Sequence, residues 1–249
     1  GRTIGRYAMV GANTLVSKDI PPHALVYGNP ATVKGYICKC GVKLSKALIC
    51  GACNRNYFLS PRGVLQDRAD MQLVQGKHVT LRLVELEDAQ FIVTLRNYAK
   101  SQKFLSATSS NIEAQERWMR DYKVREQEGT EFYYVIQLQD GSPVGLIRLY
   151  DLKLDIFSGG SWIMAPGHPH QIAVETVILL YDLCFDQLGY EKILLQVVKE
   201  NQSVIRFHKR FGAVVEREDE RCVYLINTSS TMKGPREKFR KLLGLAEPE

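Results

Sequence analysis

The sequence predicts an α+β protein of 249 residues, in which a fragment of β-helix and a small cysteine knuckle precede a larger domain of strands and helices. Three observations predict it. Aliphatic residues recur every six positions near the N-terminus, two close cysteine pairs lie between Cys38 and Cys53, and beyond Val79 the apolar pattern switches repeatedly between strand and helix periods. With 45% hydrophobic and 24% charged residues, the chain has the composition of a globular protein that buries a core. The formal charge of +6 suits an anionic ligand, but the basic residues are spread along the chain, so no nucleic-acid partner is expected. The longest apolar run, Ile172–Leu180, is interrupted by Glu175 and falls short of the roughly 20 residues of a membrane span. With no signal peptide in view, a cytoplasmic location is the default expectation.

Ile4, Val10 and Val16 carry the spacing of six, and Gly5 and Gly11 follow the first two. In a β-helix each such aliphatic residue points into the prism, and three units make about one coil. One coil cannot cover its own apolar face, so residues 1–36 are expected to stack on further coils of the chain or of a partner. The stretch Asp19-Ile20-Pro21-Pro22-His23-Ala24-Leu25-Val26-Tyr27-Gly28-Asn29-Pro30-Ala31 resembles the exit sequence of hexapeptide-repeat acyltransferases. That resemblance implies a left-handed β-helix, a homotrimer, and acetyl-CoA bound between neighbouring helices with a catalytic histidine on an upstream coil. No histidine precedes His23, which reads as a surface residue after two prolines and is given no chemistry.

Cys38-Lys39-Cys40-Gly41 and Cys50-Gly51-Ala52-Cys53 place two thiol pairs across a nine-residue connection. Four thiolates on two short turns make a closed tetrahedral site, so residues 37–59 are expected to hold one structural zinc. The first pair has one intervening residue where two are usual. Reduced free thiols, or disulfides in an oxidising compartment, are the alternatives. Several sugar-modifying hexapeptide acyltransferases are similar here. Cys184 and Cys222 stand alone in apolar surroundings.

Residues 60–75 read as a linker and residues 229–249 as a basic tail, with the main domain over residues 76–228. Val79–Val84 alternates as a strand. Glu87–Asn97 carries a helical stripe at Phe91, Thr94 and Leu95. A second helix is expected over Ile112–Gln127, capped by Ser110 or Asn111 with Glu113 near its positive end. Phe132–Gln139 and Val144–Tyr150 form a hairpin across Asp140-Gly141, and Ser161–Met164 a short strand. A long helix follows from Gln171 to Leu188, with Ala173, Val177, Leu180, Cys184 and Leu188 on one stripe and Gly189 as its stop. Lys192–Val198 is strand, Ser203–Phe211 helix, and Val214–Glu216 with Cys222–Ile226 a closing hairpin.

This order, together with Leu188-Gly189-Tyr190 through Val197, Asn201, and His208-Lys209-Arg210-Phe211-Gly212-Ala213, resembles the GNAT superfamily of acetyl-CoA-dependent N-acetyltransferases. The resemblance implies a mixed central sheet flanked by helices. It also implies an acetyl-CoA site made by the Trp162, Ile163 and Met164 strand, the loop and helix start at Gly167, His168, His170, Gln171 and Ile172, and Asn201. The family's loop is usually glycine-rich, led by glutamine or arginine, and binds pyrophosphate at a helix N-terminus. Here it reads Ala165-Pro166-Gly167-His168-Pro169-His170, with one glycine and no arginine. Either a histidine replaces the missing donor or this is a plain strand-to-helix turn.

Acetyl transfer needs a neutral amine, a carbonyl polarised by a fixed donor, and an acid for the departing thiolate. The family's tyrosine acid follows the asparagine by seven residues, and that count from Asn201 reaches His208. Histidine suits the role with a pKa closer to neutral, although Val204, His208 and Phe211 also form a packed stripe. Glu85 and Glu175 are the candidate bases, and Glu175 equally offsets the helix dipole. Arg82, Arg96, Asn97 and Arg148 fall on elements that line the acceptor cleft in the family. The fusion implies an amino sugar or nucleotide-linked amino sugar as acceptor, in surface polysaccharide or glycan synthesis. A protein N-terminal acetyltransferase, or a non-catalytic CoA-binding or structural module, is the alternative.

Overall fold

The computed structural model describes residues 1–60, 63–98, 104 and 111–246. They form two compact units, Gly1–Met71 and Gln72–Glu249.

In the first unit Ile4 bridges Ile20 in parallel, and strand β1 (Met9–Val10) runs parallel to β2 (Ala24–Tyr27) with Met9 opposite Leu25. Both pairings join residues sixteen positions apart, so the chain returns onto itself at a constant offset. β2 then pairs antiparallel with β3 (Thr32–Tyr36). Ile20, Ala24 and Val26 form the small core, with Ala8 and Val16 against it. Of the residues at sixfold spacing, Ile4 and Val10 are exposed and Val16 is half-buried. His23 is no surface residue: it is buried, stacked on Tyr7 and set edge-on to Tyr57, and its Nδ1 lies 2.7 Å from the Ile37 carbonyl. The backbone at His23 turns with φ 63, which carries the ring inward despite the prolines before it.

The cysteine segment packs Cys38, Leu44, Cys50, Tyr57 and Leu65 into a second core over the hairpin β4 (Tyr57–Leu59) and β5 (Leu65–Asp67). Residues 60–75 are therefore not an open linker. Helix α1 (Arg68–Gln72) buries Met71, and β6 (Leu73–Gln75) joins the sheet of the second unit through β7 (Val79–Leu83).

That sheet has eight strands in the order β12-β13-β11-β10-β9-β8-β7-β6. They comprise β8 (Phe132–Leu138), β9 (Pro143–Tyr150), β10 (Ile156–Met164), β11 (Lys192–Val198), β12 (Val214–Glu218) and β13 (Cys222–Thr228), in addition to β6 and β7. Only β10 and β11 pair in parallel; every other neighbour is antiparallel. β10 is longer than Ser161–Met164 because Gly159 and Gly160 hide its start. The strand needs them: a Cβ on Gly159 would come within 3.0 Å of Ile193, and one on Gly160 within 3.0 Å of the Tyr150 ring.

Helices α2 (Ala89–Asn97) and α3 (Ile112–Glu128) cover one face, where Ile92, Leu95, Met119 and Tyr122 meet Tyr133, Val135, Leu146 and Ile163. The buried side of α2 is Ile92, Val93 and Leu95, while Thr94 of the expected stripe is exposed. The Asn111 side chain caps α3 by accepting from the Ala114 N–H, and Gly129 stops it at φ 72. Helix α4 (His170–Tyr181) packs against β7 and continues as a π-helical turn over Asp182–Gln187. Helix α5 (Gln202–Arg210) follows β11.

The expected basic tail is instead helix α6 (Ser229–Leu243), opened by a Thr228 capping box. Met232 and Arg240 are buried, and Phe239 stacks on Phe211 at 4.7 Å. Two of its cations are anchored while Lys233, Lys238 and Lys241 face solvent: Arg240 bonds Asp182, and Arg236 reaches Asp182 at 3.1 Å and Asp186 at 2.8 Å.

Candidate active site

The parallel ladder between β10 and β11 covers only Ile156–Gly159 against Lys192–Leu195. Beyond it, β10 shifts register against β9 between Gly160 and Ile163, with Ser161 at φ 47. A bulge re-aims a strand end, and here the two strands part. Between them lies a cleft of about 300 Å³, walled by Trp162, Ile163 and Met164 on one side and by Gln196, Val197 and Val198 on the other. Val177, Leu180 and Tyr181 of α4 contribute apolar surface, and Asn201, Val204 and His208 come from the start and face of α5. The structure thus brings together five residues far apart in sequence that were read as one site: Trp162, Ile163, Met164, Asn201 and His208.

Asn201 is the cap of α5, its side-chain oxygen accepting from Val204 N–H at 3.4 Å and Ser203 Oγ at 3.0 Å. His208 is buried with its ring 5.7 Å from that of Trp162. Burial pushes the imidazole down to about 4, so it is neutral at pH 7. The sequence expected a pKa closer to neutral, and desolvation overturns that. His208 Nδ1 and Trp162 Nε1 are both buried and lack a hydrogen-bond partner among the described residues. Orphaned polar atoms in a cleft wall are costly unless a ligand or water meets them.

Gly167, His168, His170 and Gln171 do not line the cleft but sit at its end, where β10 turns into α4. Gly167 has φ 90, Pro169 caps α4 without a side-chain bond, and His170 and Gln171 are exposed. Ile172 is buried beneath them. The first-turn N–H groups have no side-chain cap, leaving a positive helix end on the segment that follows Met164 of the cleft wall.

The four acceptor-side residues divide. Arg82 is held by Asp88 through two bonds of 2.6 and 2.7 Å, which also fix the turn before α2. Asn97 donates to the Val93 carbonyl on its own helix. Arg96 reaches Ser161 Oγ at 3.4 Å, directly at the bulge. Arg148 bonds the buried Glu131 at 2.7 Å and lies over the Trp118 and Tyr150 rings. Neither candidate base is placed to act. The Glu175 side chain is wholly buried and accepts from the Lys77 and His78 N–H groups and from the His78 ring, so it ties α4 to the β6–β7 turn. Glu85 is an exposed partner of Lys123 at 2.9 Å.

Sequence reading missed Tyr133, Glu131, Trp118 and Tyr181. β8 is buried on both faces from Phe132 to Ile136, so no alternation marks Tyr133.

In the first unit the sulfurs of Cys38, Cys40, Cys50 and Cys53 all lie within 4.8 Å of one another. Cys38 is 3.4 Å from Cys53 and Cys40 3.5 Å from Cys50, and the Tyr57 hydroxyl meets Cys38 at 3.2 Å. Burial acts to raise the Cys38 thiol, but bonds from the Cys40 amide and the Tyr57 hydroxyl outweigh it and bring it to about 6.

Comparison with known proteins agrees with this geometry. Residues 78–214 match the acetyltransferase (GNAT) domain family. The solved structure of FdhC, described as a nucleotide-linked sugar GNAT in its apo form, superimposes with a TM-score of 0.63 at 37% identity, covering 69% of this chain and 98% of that one. A dTDP-3-amino-3,6-dideoxy-α-D-galactopyranose 3-N-acetyltransferase of Aneurinibacillus thermoaerophilus is 61% identical over 44 residues. That match takes in 18% of this chain, which spans 23% of the relative's length. The N-acetyltransferase YokL of Bacillus subtilis is 22% identical over 151 residues, covering 60% of this chain and 83% of YokL.

Proposed function

The chain belongs to the acetyltransferase (GNAT) family, and we propose that it moves the acetyl group of acetyl-CoA onto the amine of a nucleotide-linked amino sugar. The observation that carries this reading is the cleft where β10 and β11 part, with Trp162 Nε1 and His208 Nδ1 buried and unpartnered in its wall. The acceptor class is supported by the FdhC likeness and by the dTDP-amino-sugar enzyme that shares a short segment. Past Gly159 the edge of β10 that faces β11 has no ladder, so the backbone amides at Trp162–Met164 are the donors for the thioester carbonyl. The amine nitrogen bonds the acetyl carbon, the carbon–sulfur bond breaks, and the nitrogen's proton leaves for solvent while the thiolate departs. His208, being neutral, does not bring a proton to that thiolate; its N–H stabilises the sulfur as a hydrogen-bond donor. Gly167, His168, His170 and Gln171 hold the donor's pyrophosphate at the α4 N-terminus, above Ile172, and Asn201 orders the opposite rim. Arg96 and Arg148 remain on the acceptor side, while Arg82 and Asn97 support α2 and its approach.

The Cys38, Cys40, Cys50 and Cys53 cluster is a structural zinc site in this reading. Zinc–sulfur bonds of about 2.3 Å require sulfurs packed about as closely as these, and four thiolates leave no open position for chemistry. Zinc there supplies a fold constraint only. Residues 1–36 are the end of a left-handed β-helix in this reading, which the parallel return of the chain supports although its offset is sixteen and not the eighteen of three six-residue units, and a homotrimer forms through it. Metal analysis tests the zinc: one equivalent per chain is expected, and its absence contradicts the site. Light scattering tests the assembly, with a monomer of the full-length protein as the contrary result.

Among the described residues, no helix is long and apolar enough to cross a membrane. Calorimetry of acetyl-CoA binding to the chain tests the donor site. Stoichiometric binding that His208→Ala leaves within a few fold is the expected result, and no binding contradicts it.

A further inference from the structure

Helix α4 bounds one side of the cleft with Val177, Leu180 and Tyr181, residues three and four apart that share one side of the helix. The first two are aliphatic, so among the described residues the Tyr181 hydroxyl is the one polar side-chain group that α4 brings to the cleft. Tyr181 is 1% exposed, with its ring edge-on to Phe211 at 5.9 Å and tilted against Phe185 at 5.7 Å. The hydroxyl makes no hydrogen bond to the described residues, and unlike the enclosed hydroxyl of Tyr134 it keeps surface open to the cleft. Burial, with a smaller contribution from Cys184, pushes this phenol up, so it is protonated at pH 7 and is a hydrogen-bond donor.

An unpaired donor in a buried wall is costly unless something in the cleft accepts from it. Water is poorly held there, since it needs about two to four polar partners and Val177 and Leu180 supply none. Length says which part of a bound donor lies at that level. Tyr181 ends α4, about 16 Å along the axis from His170 at a rise of about 1.5 Å per residue. The arm of CoA, about twelve bonds from its phosphate oxygen to its sulfur, spans about 14 Å when extended. With the pyrophosphate at the start of α4, the thiol end reaches the level of Tyr181. Aromatic side chains on a helix lean back toward its N-terminus, which brings the hydroxyl level with the amide nearest the thiol. We propose that Tyr181 is a positioning residue of the donor site: its hydroxyl donates to the carbonyl of that amide and fixes how deep the arm sits, so that the thioester reaches the backbone amides of Trp162–Met164. This rests on the acetyl-transfer reading above and adds a side chain that recognises the donor's arm, at a position that no sequence motif marks.

Calorimetry on the chain with three ligands tests this: acetyl-CoA, CoA, and adenosine 3′,5′-diphosphate, which carries the nucleotide end without the arm. Tyr181→Phe keeps the packed ring and should weaken acetyl-CoA and CoA about 5-fold each, the scale of one neutral hydrogen bond, while leaving adenosine 3′,5′-diphosphate within about 2-fold. In turnover the same variant should raise the KM for acetyl-CoA with kcat nearly unchanged, because the bond is made equally in the ground and transition states. The unliganded protein should lose no stability in urea, since the hydroxyl has no partner to give up. Unchanged CoA affinity in Tyr181→Phe overturns the proposal. So does an equal loss for adenosine 3′,5′-diphosphate, which would make the residue structural, or a loss for acetyl-CoA alone, which would set the hydroxyl on the acetyl group. A fall in unliganded stability overturns it too, because it would reveal a partner inside the protein. If the wild type binds neither acetyl-CoA nor CoA, the acetyl-transfer reading itself fails and the proposal with it. If it binds both and only the variant behaves otherwise than expected, that reading stands.

Discussion

The two faces of the central sheet are built from opposite materials. Toward α4 and α5 lies the cleft, whose wall is largely apolar, with Val177, Leu180 and Val204, and whose imidazole, His208, is kept neutral by burial. Toward α2 and α3 the same strands carry Arg148, Tyr133 and the Glu131 carboxylate, with aromatic faces under the guanidiniums. A dry wall suits an extended acyl-carrying arm and raises the worth of each backbone donor beside it. A charged wall suits an anionic acceptor. In the proposed reading the sheet separates donor from acceptor, and the two meet at the Ser161 bulge.

Removing the carboxylate that organises the charged side should have the largest effect on stability. Glu131→Ala leaves Arg125 and Arg148 facing each other, and a loss of about 3 kcal/mol is expected in urea unfolding, at the low end for a broken buried pair because both arginines keep contact with water. An unchanged midpoint would make the charged wall incidental.

The dry side is tested by pH. His208 titrates at about 4 in the fold against 6.5 when exposed, so between those values the unfolded chain binds the extra proton. Stability should be full above pH 6.5 and fall by about 3 kcal/mol as pH drops through that window toward 4. His208→Leu should abolish this component, read as the difference between the two proteins' unfolding curves at pH 7 and near pH 4.5. If both lose stability equally, the ring is not held neutral.

Rate separates the same residue's roles. His208→Ala should lower kcat about 10²-fold with acetyl-CoA affinity nearly intact, and wild-type kcat should show no inflection near 6.5 assignable to His208. His208→Tyr should recover part of the loss. A folded alanine variant with near-wild-type turnover removes His208 from the reaction. The smallest effect is at Arg82: Arg82→Ala should cost about 1–2 kcal/mol, because it frees Asp88 at the start of α2, yet shift acceptor KM by no more than about 2-fold. A larger KM change would return Arg82 to the acceptor site.

The contrast between the cysteines and the arginines explains how far the sequence could be read. Four cysteines at short spacing constrain one another, and their sulfurs gather within 4.8 Å. The arginines were read by type and element, and their roles depend on partners distant in sequence: Glu131 for Arg148, and the Ser161 bulge for Arg96. Glu175 was legible as a helix-start carboxylate, but its partners Lys77 and His78 lie nearly a hundred residues away. Periodicity located the hairpin β8–β9 and the α3 helix, since each is local, while Asn201 and His208 were marked only by the resemblance to the acetyltransferase superfamily. It missed α6, because a run of lysines and arginines reads as solvated until Asp182 and Asp186 are seen to receive Arg236 and Arg240. It missed the start of β10 because glycines carry no pattern.

The central claim is that this cleft transfers acetyl to a nucleotide-linked amino sugar, and thiol release from acetyl-CoA measures it directly. The chain is expected to release CoA in step with acetylation of a dTDP-linked amino sugar, with a lower KM than for the same sugar without its nucleotide. CoA release no faster than background hydrolysis with every amino sugar, or a clear preference for peptide N-terminal amines, would contradict the account.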